Sequence, residues 1–370
     1  MAMRIGVVGY GTGGRHFHAP FIRAARGVEL AGIVARAEAT VARARADHPD
    51  VRIYPSLTEM LSDGMDAVTV TTPPQTRREL VLEAIAAGVP VIADKPFAPS
   101  AEAGRELDRA AKAAGVPLGV FHNRRLDADV LTLRKVVDEG RVGRLWRLHS
   151  RMDLDDPDTL EAGETGGLLR DLGSHLVDQA LWLLGPAVSV HASLDHVDRP
   201  DGRTDAGFVL SLMHADGVRS YLSASKLNRL AVREFVVYGD RGSYASSGTD
   251  VQAQAIFAGL RPADDLAVWG YERPELWGTL RTADGAERIP SEQGRYHDYY
   301  EAFAAAVRDG GDPPVTAAEA IRTLEVLDAA RISAAEGRVV ELRNVMPPGD
   351  QPRPGDEQAS RTVRRNGEAT

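Results

Sequence analysis

The chain has 370 residues, of which 43% are hydrophobic and 26% charged, and this composition excludes a disordered or membrane-embedded protein. Its formal net charge is −9, and its basic residues are scattered, which excludes an extended nucleic-acid-binding surface. We therefore expect a soluble globular protein whose partner is a small molecule.

The sequence contains no cysteine, so disulfides, thiolate nucleophiles and cysteine-ligated metals are excluded. It shows no signal-peptide pattern, and no uncharged apolar run reaches the length of a membrane span. These features predict a cytoplasmic protein without a membrane partner.

From residue 4 to about 122, short apolar runs alternate with alanine-rich amphipathic stretches, a pattern typical of βαβ units around a parallel sheet. Gly88 and Gly115 are each followed by Val-Pro, and each marks a helix end before a new strand. Residues 1–122 are therefore predicted to form an α/β domain of the Rossmann type.

Residues 123–346 differ, because strands such as GFVLSLMH and VRSYLSAS alternate polar with apolar residues. We expect an α+β domain with a large, mostly antiparallel sheet, followed by two helices, the last of which could pack on either domain. Residues 347–370 are rich in proline, glycine and charge, and they predict a disordered tail.

Gly9, Gly11 and Gly14 form the spacing G-x-G-x-x-G directly after the first expected strand. A helix that begins after such a turn offers free N–H groups and a positive dipole end to a pyrophosphate. Gly9 would make the tight turn, Gly11 would admit the pyrophosphate, and Gly14 would let the helix pack closely. The context predicts a dinucleotide site, with a purely structural glycine turn as the alternative.

Two segments carry side chains suited to catalysis. Lys95 follows Asp94 at the end of the apolar run VPVIA, at the carboxyl end of a strand, where ligands of α/β sheets bind. Further on, Asp171 precedes His175 by four residues, and a helix starting near Ser174 would project His175 and Asp178 from one face. Histidine suits proton transfer near neutral pH. The simpler alternatives are a surface lysine and a structural histidine held by Asp178.

The ten histidines form no H-x-x-x-H or H-E-x-x-H spacing, so no metal site is predicted. No G-x-S-x-G elbow is present, and a serine nucleophile is therefore unsupported. Lysine, aspartate and histidine remain as the candidate catalytic groups.

The segments GVVGYGTGG, ADKP, FHNRR and DLGSHLVDQALWLLG, in this order, resemble those of the Gfo/Idh/MocA oxidoreductases over roughly residues 4–345. The resemblance implies a Rossmann dinucleotide-binding domain, a second domain that binds substrate and mediates oligomerisation, and an active site between them. It implies a homodimer or homotetramer. It also assigns the catalytic positions to Lys95, Asp171 and His175.

FHAP and FHNRR resemble a branch of that family that includes scyllo-inositol dehydrogenases acting with NADP. Asp153 lies in a segment that could bind substrate hydroxyls or only solvate a loop. The expected cofactor contacts are Gly9, Gly11, Thr12, Gly14, Arg36, Thr72, Pro73 and Lys95. The expected substrate contacts are Lys95, His122, Arg124, Asp153, Asp171 and His175.

The end of the second strand indicates the cofactor. NAD-selective folds place a carboxylate there, whereas an arginine accommodates the 2′-phosphate of NADP. This chain has Arg36 and no carboxylate until Glu38, which favours NADP over NAD, unless Arg36 only begins a solvated helix face. Many family members read T-P-N-x-x-H where this chain has residues 72–77 as TPPQTR, so nicotinamide positioning could differ.

Together these features predict a dehydrogenase that moves a hydride between a nicotinamide and a hydroxyl-bearing carbon of a cyclitol or sugar. His175 would be the acid/base, Lys95 would stabilise charge on the reacting oxygen, and Asp171 would hold a neighbouring hydroxyl. Lys95 and His175 could exchange the proton role. A dehydratase, epimerase or glycosidase that oxidises its substrate transiently stays open, as does a non-catalytic NADP-binding sensor.

Overall fold

The computed structural model describes residues 2–161, 166–200, 202–248 and 250–342. These residues form a parallel sheet near the N-terminus and a larger mixed sheet after it, which confirms the predicted fold class. The expected tail, residues 347–370, lies outside the described residues.

The N-terminal sheet has strand order β3-β2-β1-β4-β5-β6 in the described part of the chain, and all its pairs are parallel. The strands are β1 Met3–Val8, β2 Val28–Val34, β3 Arg52–Tyr54, β4 Ala67–Val70, β5 Val91–Asp94 and β6 Leu118–Phe121. The helices are α1 Ala19–Ala24, α2 Glu38–Asp47, α3 Leu57–Ser62, α4 Pro74–Ala86 and α5 Ala101–Ala114. Strand order reverses between β1 and β4, and this is the position where ligands of such sheets bind.

The larger sheet, described without residues 162–165, 201 and 249, has strand order β14-β13-β12-β11-β7-β10-β9-β8-β15. Its strands are β7 Leu145–Asp153, β8 Ala187–Arg199, β9 Gly202–His214, β10 Arg219–Ser225, β11 Val232–Gly239, β12 Gly242–Ser246, β13 Thr279–Thr282, β14 Gly285–Arg288 and β15 Val340–Glu341. The β7–β10 pair is parallel and the other pairs are antiparallel. The predicted alternation holds, since Phe208, Leu210 and Leu212 are buried along β9.

Five further helices accompany this sheet in the described residues: α6 Ala128–Asp138, α7 Leu168–Leu184, α8 Val251–Phe257, α9 His297–Asp309 and α10 Ala317–Glu336. Helix α10 packs on β8 and also on α5 of the N-terminal sheet. The Asp328 carboxylate on α10 accepts a hydrogen bond from the backbone N–H of Ala101 at 2.8 Å. The last helix therefore contacts both parts of the molecule rather than one of them.

The predicted start of α7 near Ser174 is wrong, because the helix begins at Leu168. Gly167 has φ +94°, and the Asp205 carboxylate accepts the N–H of Leu169 at 2.6 Å. Asp205 lies on β9, so the group that satisfies the helix N-terminus comes from a distant strand. Asp171 consequently lies inside the first turn of α7, one turn before His175.

In the described ranges of the chain, no helix combines the length and the apolar character that crossing a bilayer requires.

Candidate active site

The glycine loop after β1 has the close packing that its motif predicts. Gly9 has φ +99°, a conformation that side chains rarely adopt. A Cβ atom at Gly14 would lie 2.1 Å from the carbonyl oxygen of Gly9, so the helical stretch Gly13–His18 can approach the turn only without a side chain there. A Cβ atom at Gly11 would meet nothing within 4 Å, and this open side is where a bound group can approach the backbone.

Thr12, at the start of that helical stretch, is exposed. Arg36 lies just beyond β2, is exposed, and forms no hydrogen bond or ion pair with another described residue. Its guanidinium is therefore free to pair with an anion. The open glycine turn and this cation fit a dinucleotide that carries phosphates.

The altered segment after β4 has a structural role in this chain. Arg77 is buried, and its guanidinium donates to the carbonyl oxygens of Thr72 and Asp94, each at 2.7 Å, and to that of Pro96. It thereby joins the carboxyl ends of β4 and β5. The Thr72 hydroxyl oxygen is buried and has no hydrogen-bond partner among the described residues, while Pro73 occupies the N-cap position of α4 without a side-chain capping bond.

Lys95 and Asp171 are brought together as predicted, although 76 residues separate them. The Lys95 ammonium donates to the Asp171 carboxylate at 2.8 Å and to the Asp171 carbonyl oxygen at 3.3 Å. A second lysine, Lys226, follows β10 and donates to the other carboxylate oxygen at 3.0 Å. The site is therefore two ammonium groups around one carboxylate.

These three side chains line a cavity of about 210 Å³, together with Thr159 and Arg77. The Asp171 side chain is 44% exposed, whereas that of Lys226 is 5% exposed. Desolvation opposes ionisation of Asp171, but Lys95 and Lys226 outweigh it and hold the pKa of this carboxyl well below its usual range. The cavity thus presents an ionised carboxylate and an excess positive charge.

His175 follows Asp171 by one helical turn and is buried. Its Nδ1 atom has no hydrogen-bond partner among the described residues. Burial, with the charges of Lys95 and Arg124, lowers the pKa of His175 well below its ordinary value, so the ring is neutral near pH 7. Asp178 does not hold this ring, because Arg125 binds Asp178 through two nitrogens at 2.6 and 2.9 Å.

His122 is also buried, and its Nδ1 atom lies 3.7 Å from the Asp178 carboxylate. Burial lowers the pKa of His122, which favours the neutral ring. The charge of Lys95 contributes to the lowered pKa of both histidines. Neither ring is in the lining of the cavity around Lys95 in the described residues.

Arg124 and Asp153 are engaged elsewhere in the protein. The Arg124 guanidinium pairs with Asp250 and Asp127, in a buried cluster that also contains Arg233. Asp153 is buried and accepts from Arg151 at 2.5 Å. Neither side chain is in the lining of the cavity around Lys95 in the described residues.

Sequence reasoning missed Lys226, and it also missed the hydrogen-bond network around Asp94, the residue before Lys95. Asp94 accepts from Thr71 Oγ1 at 2.8 Å and from the backbone N–H of Lys95 at 2.8 Å. His18 is fully buried, with Nε2 3.3 Å from Asp94 and Nδ1 2.7 Å from the Tyr300 hydroxyl. A lysine after a strand was the signal for Lys226, as for Lys95, but only the sheet order shows which strand end faces the cavity.

The described residues contain no group of three histidine, aspartate or glutamate side chains placed to hold a metal ion.

Comparisons with known proteins agree with this architecture. Residues 3–122 match the family model described as "Oxidoreductase family, NAD-binding Rossmann fold", and residues 130–245 match the "GFO/IDH/MocA C-terminal domain". The chain is 32% identical over 352 residues to a scyllo-inositol 2-dehydrogenase (NADP(+)) of Bacillus subtilis, covering 92% of this chain and 96% of that protein. It is 29% identical to a D-apiose dehydrogenase of Paraburkholderia graminis, covering 88% and 86%.

A solved oxidoreductase structure from Bacillus subtilis, yvaA, superposes with a TM-score of 0.85 at 32% identity. The match covers 93% of this chain and 99% of that one. The likeness therefore extends over both sheets.

Proposed function

Because the chain belongs to the Gfo/Idh/MocA family of oxidoreductases, we propose that it is an NADP-dependent dehydrogenase of a cyclitol or sugar. The glycine loop would hold the pyrophosphate of the dinucleotide, whose nicotinamide would supply the hydride chemistry. The scyllo-inositol and D-apiose dehydrogenases among its relatives support a polyol or sugar as the substrate class.

The observation that carries the proposal is the meeting of Lys95 and Asp171 in a cavity at the carboxyl end of β5. A polyol offers neighbouring hydroxyl groups, which an ammonium and a carboxylate can bind as donor and acceptor. In this role Asp171 accepts from a hydroxyl beside the reacting carbon. Lys95 donates to the reacting oxygen and stabilises the negative charge that develops as the hydride leaves.

His175 takes the hydroxyl proton in this proposal. Its lowered pKa favours the neutral ring, which can accept a proton during oxidation and return it during reduction. Burial removes water that would otherwise compete for the proton. His122 is also buried with a lowered pKa, and it lies beside the Asp178 carboxylate.

Replacing Arg36 with alanine is expected to weaken NADP⁺ binding by about 10-fold to 100-fold, because charge-assisted hydrogen bonds contribute about 1.5–3 kcal/mol. NAD⁺ affinity should change little, since NAD⁺ lacks the 2′-phosphate. Isothermal titration with both dinucleotides measures the difference. Arg45→Ala is the matched control, because Arg45 is also exposed and lies nearby on α2. Equal losses for NADP⁺ and NAD⁺ would refute the NADP preference.

The two loop glycines should respond differently to alanine. Gly14→Ala forces a Cβ atom against the Gly9 carbonyl oxygen and is expected to lower the free energy of unfolding by about 1–3 kcal/mol. Gly11→Ala adds a methyl group in open space, so stability should hold while dinucleotide affinity falls about tenfold. Denaturant unfolding and dinucleotide titration separate the effects. Unchanged affinity in a folded Gly11→Ala protein would place the phosphates elsewhere.

A second copy of the chain is the proposed partner of the larger sheet. Helices α7 and α10 pack against the sheet at β8, β9 and β10, whereas His149 and Tyr221 stack on each other at 4.9 Å with their side chains partly exposed. Exposed aromatic side chains on a sheet face fit an association surface, and a homodimer or homotetramer would cover them. Sedimentation velocity tests this proposal, and a monomer at micromolar concentration would refute it.

The proposed activity is tested by following nicotinamide absorbance with NADP⁺ or NAD⁺ and a panel of inositols and aldoses. Reduction of NADP⁺ by one substrate class, abolished in a Lys95→Ala protein, would support the dehydrogenase. Failure of the whole panel while cofactor still binds would favour an internal redox cycle or a sensor.

A further inference from the structure

Lysine is rare in this protein, and two of its lysines meet at one carboxylate. The sequence has 44 basic residues, and only four are lysines, at positions 95, 112, 135 and 226. Elsewhere in the described residues, a buried, permanently charged cation that pairs with a carboxylate is an arginine, as in Arg125 with Asp178. Arginine is the usual residue for buried pairs, so the use of a compact ammonium on both sides of Asp171 requires a local reason.

The three groups come from three separate elements. Lys95 follows β5 of the parallel sheet, Asp171 lies in the first turn of α7, and Lys226 follows β10 of the larger sheet. The backbone of Lys226 is fixed on both sides, since its N–H donates to Ala206 at 3.0 Å and its carbonyl accepts from Asp156 at 3.3 Å. Its ammonium also donates to the Thr159 carbonyl oxygen at 3.3 Å.

We propose that Lys226 is a positioning residue that binds one oxygen of Asp171, so that the two lysines share the carboxylate charge and Lys95 is not fully neutralised when it acts on the substrate oxygen. With one ammonium group, Lys95 and Asp171 would form an ion pair with no net charge. With two ammonium groups, the cluster of Lys95, Lys226 and Asp171 keeps a net charge of +1 facing the cavity. The inference rests on the proposed function of Lys95.

Charge sharing has a consequence that can be measured without substrate. Removing Lys226 gives the whole Asp171 carboxylate to Lys95 and removes a neighbouring positive charge. Both changes favour the protonated form of Lys95, which does not react with acylating reagents. If removal of Lys226 instead loosened the structure around Lys95, acylation of Lys95 would become faster, because an exposed lysine reacts faster.

The experiment is trace acetylation of the folded protein with acetic anhydride at several pH values, read by mass spectrometry at each lysine. In Lys226→Met, the labelling rate of Lys95 relative to Lys112 is expected to fall about tenfold, the size of a nearby charge effect on protonation. Lys112, 70% exposed on α5, and the half-exposed Lys135 are internal references. Asp171→Asn should raise labelling of Lys95 and Lys226 together.

Unchanged or faster labelling of Lys95 in folded Lys226→Met would overturn the proposal. If Lys226→Met does not fold, the labelling of Asp171→Asn tests the proposal by itself. Faster labelling of only one of Lys95 and Lys226 in Asp171→Asn would refute the sharing of the Asp171 carboxylate. These labelling results do not depend on turnover, so they can be interpreted even if the protein oxidises no substrate of the panel.

With a substrate that the panel identifies, Lys226→Met should lower kcat about tenfold while KM changes less than about threefold. A rise in KM alone would make Lys226 a substrate ligand and overturn the positioning role.

Discussion

Replacing Lys95 with methionine is expected to lower kcat about 1,000-fold, because the reacting oxygen would lose the cation that stabilises its developing charge. NADP⁺ affinity should change by less than about threefold, since the loss concerns the transition state. Methionine keeps most of the side-chain volume, and Asp171 retains Lys226 as a partner. The protein is therefore expected to fold, and steady-state kinetics with dinucleotide titration measures both quantities.

Lys112→Met is the control for this prediction, because Lys112 is an exposed lysine on α5 whose ion pair, among the described residues, is with Asp108. It should leave kcat and NADP⁺ affinity unchanged. Parallel losses of turnover and cofactor affinity in Lys95→Met would indicate that Lys95 holds the dinucleotide, and they would contradict its assignment to the reacting oxygen.

Replacing His175 with asparagine is expected to lower kcat by about 100-fold to 10,000-fold, the usual contribution of a positioned acid/base. The pH dependence gives a second check. Because burial lowers the pKa of His175, the ring stays unprotonated below pH 6.5. Oxidation by the unaltered enzyme should therefore be level from pH 8 down to about 6.5 and decline only in more acidic solution.

His191→Asn provides the comparison, since His191 is exposed on β8. The activity and the pH profile of the His191→Asn protein should match those of the unaltered protein. A decline of kcat/KM centred at or above pH 7 would mean that the essential base has a raised pKa, which is inconsistent with the buried His175. Retention of full activity in His175→Asn would give the proton role to Lys95.

The parallel sheet could be predicted because each of its longer strands is a short apolar run, and the helix ends carry glycine stops. The shorter elements β3 and α3 were not predicted, since Arg52–Tyr54 spans only three residues. The start of α7 was mispredicted because Asp205, a residue of another strand, satisfies its N-terminus. Local patterns carry no information about such a distant partner.

The residues of the site likewise fall into those that the sequence identified and those that it did not. Lys95 was identified by its position after a strand, and the family motif associated it with Asp171 and His175. Lys226 belongs to no such motif, and its distance of 55 residues from Asp171 in the chain is bridged only by the sheet order. Likewise, Arg77 was noted as a departure from the family pattern, but its three carbonyl contacts depend on how β4 and β5 end side by side.

The central claim is net hydride transfer from a polyol carbon to the cofactor. The most direct measurement supplies NADP⁺ and an inositol or aldose deuterated at its carbinol carbons, and determines deuterium in the recovered dinucleotide by mass spectrometry. We predict one deuterium in NADPH for each substrate oxidised, with none transferred by Lys95→Met. Deuterium that is found only in a rearranged product, with no accumulation of NADPH, would contradict a dehydrogenase and indicate transient oxidation.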